Sequence, residues 1–347
     1  MTHPSATLSS TSPARRRPSV AWSVLALLSA LPVAGVSMFR GIPVEWPLMV
    51  VQLLSFTPWL VVPAALALVL AVLGRRLWVI ITAAALLAVQ LFWLFPLDAG
   101  KPETLPAGTA TVSVKVMSLN SEYGEADAAA IVSMVRENGV QLLALQEHTQ
   151  GLEDRLGAEG LEKILPHRVS EPNDDASGGA VYSAFPLEAV GLLPDTPFRM
   201  DVTRVLLKDS SAGSAAVLNL TNVHALPPVD ERIGQWRSDL DKVARQASRP
   251  GSQLLTGDYN ATYDHSEFRE VLDKALAGQE GRKLVDVGTA SGGRFSPTWP
   301  MEGLPLPGIV IDHMVTSPLI SSSDYSVHRI PGSDHAAIMA RLVVPAG

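Results

Sequence analysis

Cysteine is missing from all 347 residues. The chain therefore has no disulfide framework and no thiol chemistry, and cysteine usage leaves its compartment open. Acids are almost missing from the first 97 residues, where Glu45 stands alone against Arg15, Arg16, Arg17, Arg40, Arg75 and Arg76. The other 21 basic and 33 acidic residues all lie beyond, a net of −12. Charge of either sign is missing from three consecutive runs, 20–39, 47–73 and 77–97. Each is about the length of a bilayer crossing, and three in a row point to a membrane rather than to the core of a soluble fold. No internal repeat is visible.

The arginines orient those runs. Arg15 to Arg17 and the Arg75–Arg76 pair belong on the cytoplasmic side, which leaves the Arg40–Glu45 loop and everything after residue 98 outside. A basic flank followed by an apolar run also fits a signal peptide at 20–39; its removal would leave two spans and the same exposed side for the rest. Pro58 and Pro63 would kink the second run, which membranes tolerate. Residues 1–19 are rich in Ser, Thr, Pro and Arg and read as a disordered cytoplasmic tail. Residues 98–110, DAGKPETLPAGTA, read as a linker.

From 111 to 347 the pattern changes to one polar domain with alternating or fully apolar strand runs. Strands are expected at 111–119, 142–145, 181–185, 187–193, 202–207, 215–223, 253–256, 284–287, 309–315 and 337–343. Helices are expected at 126–135, 232–247 and 266–276. Many strands with a few interspersed helices suggest a two-layered β core flanked by helices.

Polar islands end those strand runs. MSLN closes on Asn120, LLALQE on Glu147, NLTNVH on His224 and LLTGDYN on Asp258 and Asn260; VIDHMVTS carries Asp312, and GSDHAAIMARL carries Asp334 and His335. Asp258 and Asn260, two apart, are brought to one face by a strand or by the turn after it. A carboxylate beside a carboxamide suits a hard divalent cation and a phosphate oxygen, although GDYN taken alone also fits an Asx turn. Three Asp-His dipeptides occur. Asp264 precedes a helix and reads as its N-cap, and His313 faces away from Asp312 on the same strand. Only His335 follows a Gly-Ser turn and opens a strand, free to face a pocket.

Taken in order, N…QE…H…GDxN…D…SDH resembles the endonuclease/exonuclease/phosphatase superfamily, which includes DNase I-like nucleases, AP endonucleases, inositol phosphatases and sphingomyelinases. The resemblance covers 111–345 and implies a four-layered α/β sandwich (DNase I-like), here preceded by three transmembrane helices. It implies a Mg²⁺ or Mn²⁺ ion on Glu147 with Asn120 beside it and Asp334 as a second metal-side or water-orienting acid. By the same match Asp258 and Asn260 orient nucleophile and phosphate, His335 pairs with Asp312, and His224 contacts the scissile phosphate. The basic loops with which the nucleases grip DNA are not evident, and the net of −12 argues against nucleic acid as a partner. Three spans ahead of an external domain are similar to the membrane-anchored subgroup that includes teicoplanin-resistance proteins. Together these suggest a metal-dependent phosphohydrolase acting outside the cytoplasm on a lipid-linked phosphate or pyrophosphate. An extracytoplasmic nuclease and an inactive membrane-tethered binding or resistance module are the alternatives.

Overall fold

The computed structural model describes residues 17–41, 48–96, 99–209, 213–274, 282–303 and 307–346. Most of the expected tail, 1–19, lies outside them. Four helices come first: α1 (Val20–Gly41), α2 (Leu48–Leu54), α3 (Val61–Gly74) and α4 (Leu77–Leu94). The α/β part follows as β1 (Thr111–Asn120), α5 (Ala128–Asn138), β2 (Leu142–Gln146), α6 (Gln150–Ala158), β3 (His167–Glu171), β4 (Gly179–Ser183), β5 (Leu187–Leu192), β6 (Asp201–Asp209) and β7 (Ser214–His224). It continues with α7 (Ile233–Ala247), β8 (Ser252–Asp258), α8 (Ser266–Asp273), β9 (Val285–Asp286), α9 (Val287–Ala290), β10 (Asp312–Thr316), β11 (Ser321–Arg329) and β12 (Ala336–Pro345).

The chain divides into two compact units. The first comprises the described part of Met1–Gly35 together with Leu60–Leu91, and the second comprises Val36–Trp59 and Phe92–Gly347.

In the first unit the helices meet on small residues, Ala26, Ala30, Ala67, Ala71 and Ala83. A Cβ on Gly74 would lie 2.7 Å from Ser23 Oγ. Small side chains let backbones approach where a bilayer supplies no hydrophobic drive. Three helical stretches are long and apolar enough to cross a membrane: Val20–Gly41, Thr57–Gly74 and Leu77–Leu94. The second differs from the run expected at 47–73. α2 closes at a turn, a short 3₁₀ segment at Thr57–Leu60 intervenes, and the crossing-length stretch starts only there. Pro58, which lacks an N–H, is tolerated in the first turn of a helix and would break one that ran through it.

In the second unit two six-stranded sheets lie face to face, ordered β11-β12-β1-β2-β4-β3 and β5-β6-β7-β8-β10-β9. Their inner faces share a core that includes Val114, Val116, Leu142, Leu218, Leu220, Leu254, Met314, Ile338 and Leu342. α5 and α6 cover the outer face of the first sheet through Ile131, Val135, Leu152 and Leu156. α7 and α8 cover the second through Trp236, Leu240, Val243 and Phe268. This is the expected four-layered sandwich, and the inner strands β2 and β8 are buried on both faces, which explains their apolar runs.

Three elements were not expected from the sequence. α6 is mostly polar, with two buried leucines and a Thr149 cap. β3 and β11 are polar edge strands. The strand expected at 284–287 is only two residues long before Asp286 caps α9. The stretch 99–110 has no regular structure, yet the Glu103 N–H donates to Pro318 O at 2.7 Å and Ala99 packs on the core, so it is fastened along the body.

Candidate functional site

Strand pairing assembles the site before any side chain is considered. In the second sheet Asp258 lies directly between His224 of parallel β7 and Asp312 of antiparallel β10. In the first sheet Asn120 is paired with Gln146, and Glu147 follows at once. The two sheet ends are tied beneath the site: Gln146 Nε2 donates to Asn222 Oδ1 at 2.6 Å, and Asn222 Nδ2 donates to Leu145 O at 2.8 Å. Gly257 leaves room for this tie: a Cβ there would lie 3.0 Å from Gln146 Nε2 and 2.0 Å from Val223 O of the neighbouring strand. Glu122, Tyr123, Glu147 and Asn260 all adopt positive φ without being glycine. Such strain gathers where the surroundings over-determine a functional geometry.

The expected residues converge. Asn120 Nδ2 reaches Glu147 Oε1 at 3.1 Å and Asp258 Oδ2 at 3.2 Å, while its Oδ1 accepts the Glu122 N–H at 3.0 Å. That amide thus faces the carboxylates as a donor. Asp258 also accepts the Asn260 N–H at 2.8 Å and Asn260 Nδ2 at 3.2 Å. His335 Nδ1 meets Asp312 Oδ2 at 2.9 Å, which leaves Nε2 3.8 Å from Asp258 and 3.9 Å from Asp334. His224 Nε2 lies 3.6 Å from Glu147 Oε1 and 4.0 Å from Asp258 Oδ2. Its ring stacks on Phe198 with centroids 4.3 Å apart. Asp334 Oδ2 accepts from Trp299 Nε1 at 2.8 Å.

Charge is finely divided here. Burial raises the Glu147 carboxyl above the usual range against hydrogen bonds from Asn120 and Tyr123. Burial also raises Asp258, with Asp312 adding to the effect and His335 opposing it. Burial alone would lower His335, but Asp312, Asp258 and Asp334 outweigh it and push the imidazole up to about 10. His224 goes the other way, down to about 3, through burial and the nearby charge of His335. These shifts favour the cationic form of His335 and the neutral form of His224.

The donor set fits a hard divalent cation. Glu147, Asp258, Asp312 and Asp334 converge, and their ion-pairing partners among the described residues are imidazoles. Asp312 Oδ1 is buried without a hydrogen-bond partner. Asp258, Asp312 and His335 also offer ligand atoms within 4.8 Å of one another.

One reading from the sequence changes. Asp264 does not cap α8: the cap position is His265, and the Asp264 carboxylate pairs with Arg40 and Arg294. His265 and His313 lie away from the converging residues, both buried and hydrogen-bonded to backbone carbonyls. Sequence reasoning missed Glu122, Gln146, Asn222, Phe198, Trp299 and Asp201, the last raised to about 6 by burial against the pull of Arg199. Asn222 had a visible signal, two residues before His224 on the same strand face. Phe198 and Trp299 sit in loops with no pattern to mark them.

The family described as "Endonuclease/Exonuclease/phosphatase family" matches residues 117–335. Among solved structures, Danio rerio TDP2 humanized by 14 mutations is 14% identical, over 66% of this chain and 98% of that one, with a TM-score of 0.49. An AP endonuclease from Archaeoglobus fulgidus is 13% identical, over 65% and 98%, with a TM-score of 0.48. A mannosyl-6-phosphatase from Bacteroides thetaiotaomicron is 14% identical, over 66% and 99%, with a TM-score of 0.43. Comparison with curated proteins gave no match.

Proposed function

Because the chain belongs to the endonuclease/exonuclease/phosphatase family, we propose that it is a membrane-anchored phosphohydrolase. Its substrate is a lipid-linked phosphate or pyrophosphate outside the cytoplasm, and its cofactor is Mg²⁺ or Mn²⁺. The observation that carries this reading is the convergence of Glu147, Asp258, Asn260, His224 and the Asp312–His335 pair at one end of the sandwich.

Glu147 would hold the cation, with Asn120 and Asp334 beside it. Bound there, the ion would neutralise phosphoryl oxygens and the leaving group. The chain's own groups divide the remaining work. Asp258 is fixed by three hydrogen bonds from Asn120 and Asn260. Its basicity is raised by burial, so it is the group to accept a proton from water at its carboxylate. His335 is kept as an imidazolium by Asp312 and presents Nε2–H to a phosphoryl oxygen. His224, neutral and braced on Phe198, donates from Nε2 to the same group, and the Asn260 amide orients Asp258 while anchored to Ala225 O. Removing one such donor typically costs about 3 kcal/mol of barrier.

Three spans support a membrane location. The arginines at 15–17 and 75–76 support placing the α/β body outside. A net of −12 beyond residue 97 repels free polyanions, whereas a bound cation still attracts a phosphate.

The test compares full-length protein in detergent micelles on polyprenyl pyrophosphate and on plasmid DNA, each with Mg²⁺ and with chelator. Chelator-sensitive phosphate release from the lipid is expected. Chelator-sensitive nicking of DNA with no release from the lipid would overturn this reading in favour of a nuclease. A reporter active only outside the cytoplasm, fused after Ala107, should be active; activity of a cytoplasmic reporter alone would overturn the topology.

A further inference from the structure

The two loops that follow Asp258 and precede Asp312 are both seated on residues at or beside the ends of the candidate spans. All of these residues lie in the second compact unit, which takes in Val36–Trp59 and Phe92 onward. Asp264, four residues past Asn260, is fully buried; its Oδ1 accepts from Arg40 Nε at 2.7 Å and its Oδ2 pairs with Arg294. His265 Nε2 meets Val51 O at 2.9 Å. Ahead of Asp312, the Gly308 carbonyl accepts from Trp59 Nε1 at 2.8 Å, and the Trp59 ring packs edge-on against Phe295. The two loops are joined to each other, since the Tyr259 N–H donates to Ile311 O at 3.0 Å.

The body returns these contacts. Arg269 donates to the Arg40 carbonyl at 3.3 Å, in the last turn of α1. Arg294 donates to the Trp93 carbonyl at 2.6 Å, in the last turn of α4. The last carbonyls of a helix lack intrahelical donors and carry its partial negative charge, so guanidinium groups are well matched to them. The Arg40 guanidinium also stacks over the Trp93 ring, 4.4 Å from its centroid. A mere tether would need none of this, and residues 117–335, which the family matches, contain neither Arg40, Val51, Trp59 nor Trp93.

We propose that Arg40, Val51, Trp59 and Trp93 form a seat for these two loops, so that the membrane-proximal segments position Asp258, Asn260 and Asp312 for a substrate confined to the bilayer. The substrate half of this rests on the lipid-phosphate reading above; the seat itself does not. Arg40 acts through Asp264 and is a positioning residue, not a catalytic one.

The absence of cysteine makes the test clean. Met38→Cys and Glu159→Cys, both at exposed positions, would be the only sites for spin labels on the full-length protein in nanodiscs. Pulsed electron resonance should give one narrow distance distribution that broadens on Arg40→Gln, a change that leaves the Asp264–Arg294 pair intact. A distribution already broad without Arg40→Gln, or one unchanged by it, overturns the seat whatever the activity. In the same nanodiscs Arg40→Gln should lower kcat on embedded polyprenyl pyrophosphate about tenfold or more, the scale on which misplaced catalytic groups lose rate. Hydrolysis of a soluble short-chain prenyl pyrophosphate should fall as well, because the same carboxylates act on it, and Arg40→Lys should restore most of both losses. No loss on either substrate, or loss on the embedded substrate alone, overturns the positioning role. Failure of the unsubstituted protein to hydrolyse either substrate overturns the lipid-phosphate reading, and the distance measurement still decides the seat.

Discussion

Two aspartate–histidine pairs meet on neighbouring residues of β10 and do opposite things. Asp312 and His313 point to opposite faces of the strand. On one face Asp312 holds His335 Nδ1 at 2.9 Å, and the other ring nitrogen is left open toward Asp258 and Asp334. On the other face His313 has both nitrogens engaged, Nδ1 with Asp286 at 3.4 Å and Nε2 with Ala261 O at 2.9 Å, and its ring stacks on Phe268. Both histidines are buried. Burial and an acidic neighbour therefore do not distinguish catalysis from architecture; a free nitrogen aimed at other titratable groups does.

The comparison breaks most visibly at the carboxylate that serves only one of the two faces. Glu147→Ala should cut phosphate release at least about a hundredfold while circular dichroism stays unchanged, the scale of a lost metal or proton-transfer group. Chelation of the unsubstituted protein should have a similar effect, reversed by added Mg²⁺ or Mn²⁺. Asp312→Asn should cost less, about ten- to a hundredfold, because it acts through His335 rather than on the substrate. Steady-state rates of both variants on one substrate check the order.

The structural pair should answer in stability instead. His313→Ala removes a stacked ring and leaves Asp286 without its imidazole, so urea unfolding should show a loss of about 2–4 kcal/mol. Turnover per folded molecule should remain close to that of the unsubstituted protein.

In pH the two pairs oppose each other. His335 is raised from 6.5 to about 10. The folded state therefore binds more protons between those values, and this contribution to stability is complete below 6.5 and lost as pH rises toward 10. Asp286 is lowered below 3.8: its burial, which alone would raise it, is outweighed by His313 and by hydrogen bonds from Thr289. Its contribution is complete above 3.8 and lost as pH falls through the folded value. Thermal melts in chelator should show His335→Gln flattening the alkaline limb and His313→Gln the acid limb.

The fold was legible where burial wrote it. β2 and β8 are nearly continuous apolar runs, β1 and β7 alternate, and all four end in polar residues, so both strand and site residue could be read together. β3 and β11 are edge strands whose sequences, HRVSE and SSSDYSVHR, carry no apolar alternation to find. Asp264 misled for a physical reason: Asp before a helix is an ordinary cap, and nothing local reveals that an arginine 224 residues upstream claims its carboxylate. Phe198 and Trp299 matter through contacts across loops, which spacing does not encode.

The most direct measurement compares His335→Gln with His313→Gln at equal folded fraction, following chelator-sensitive phosphate release from the same lipid-linked substrate. Loss of turnover in His335→Gln alone, with His313→Gln near the unsubstituted rate, is the expected result. Turnover retained by His335→Gln and abolished in folded His313→Gln would contradict the assignment of the site.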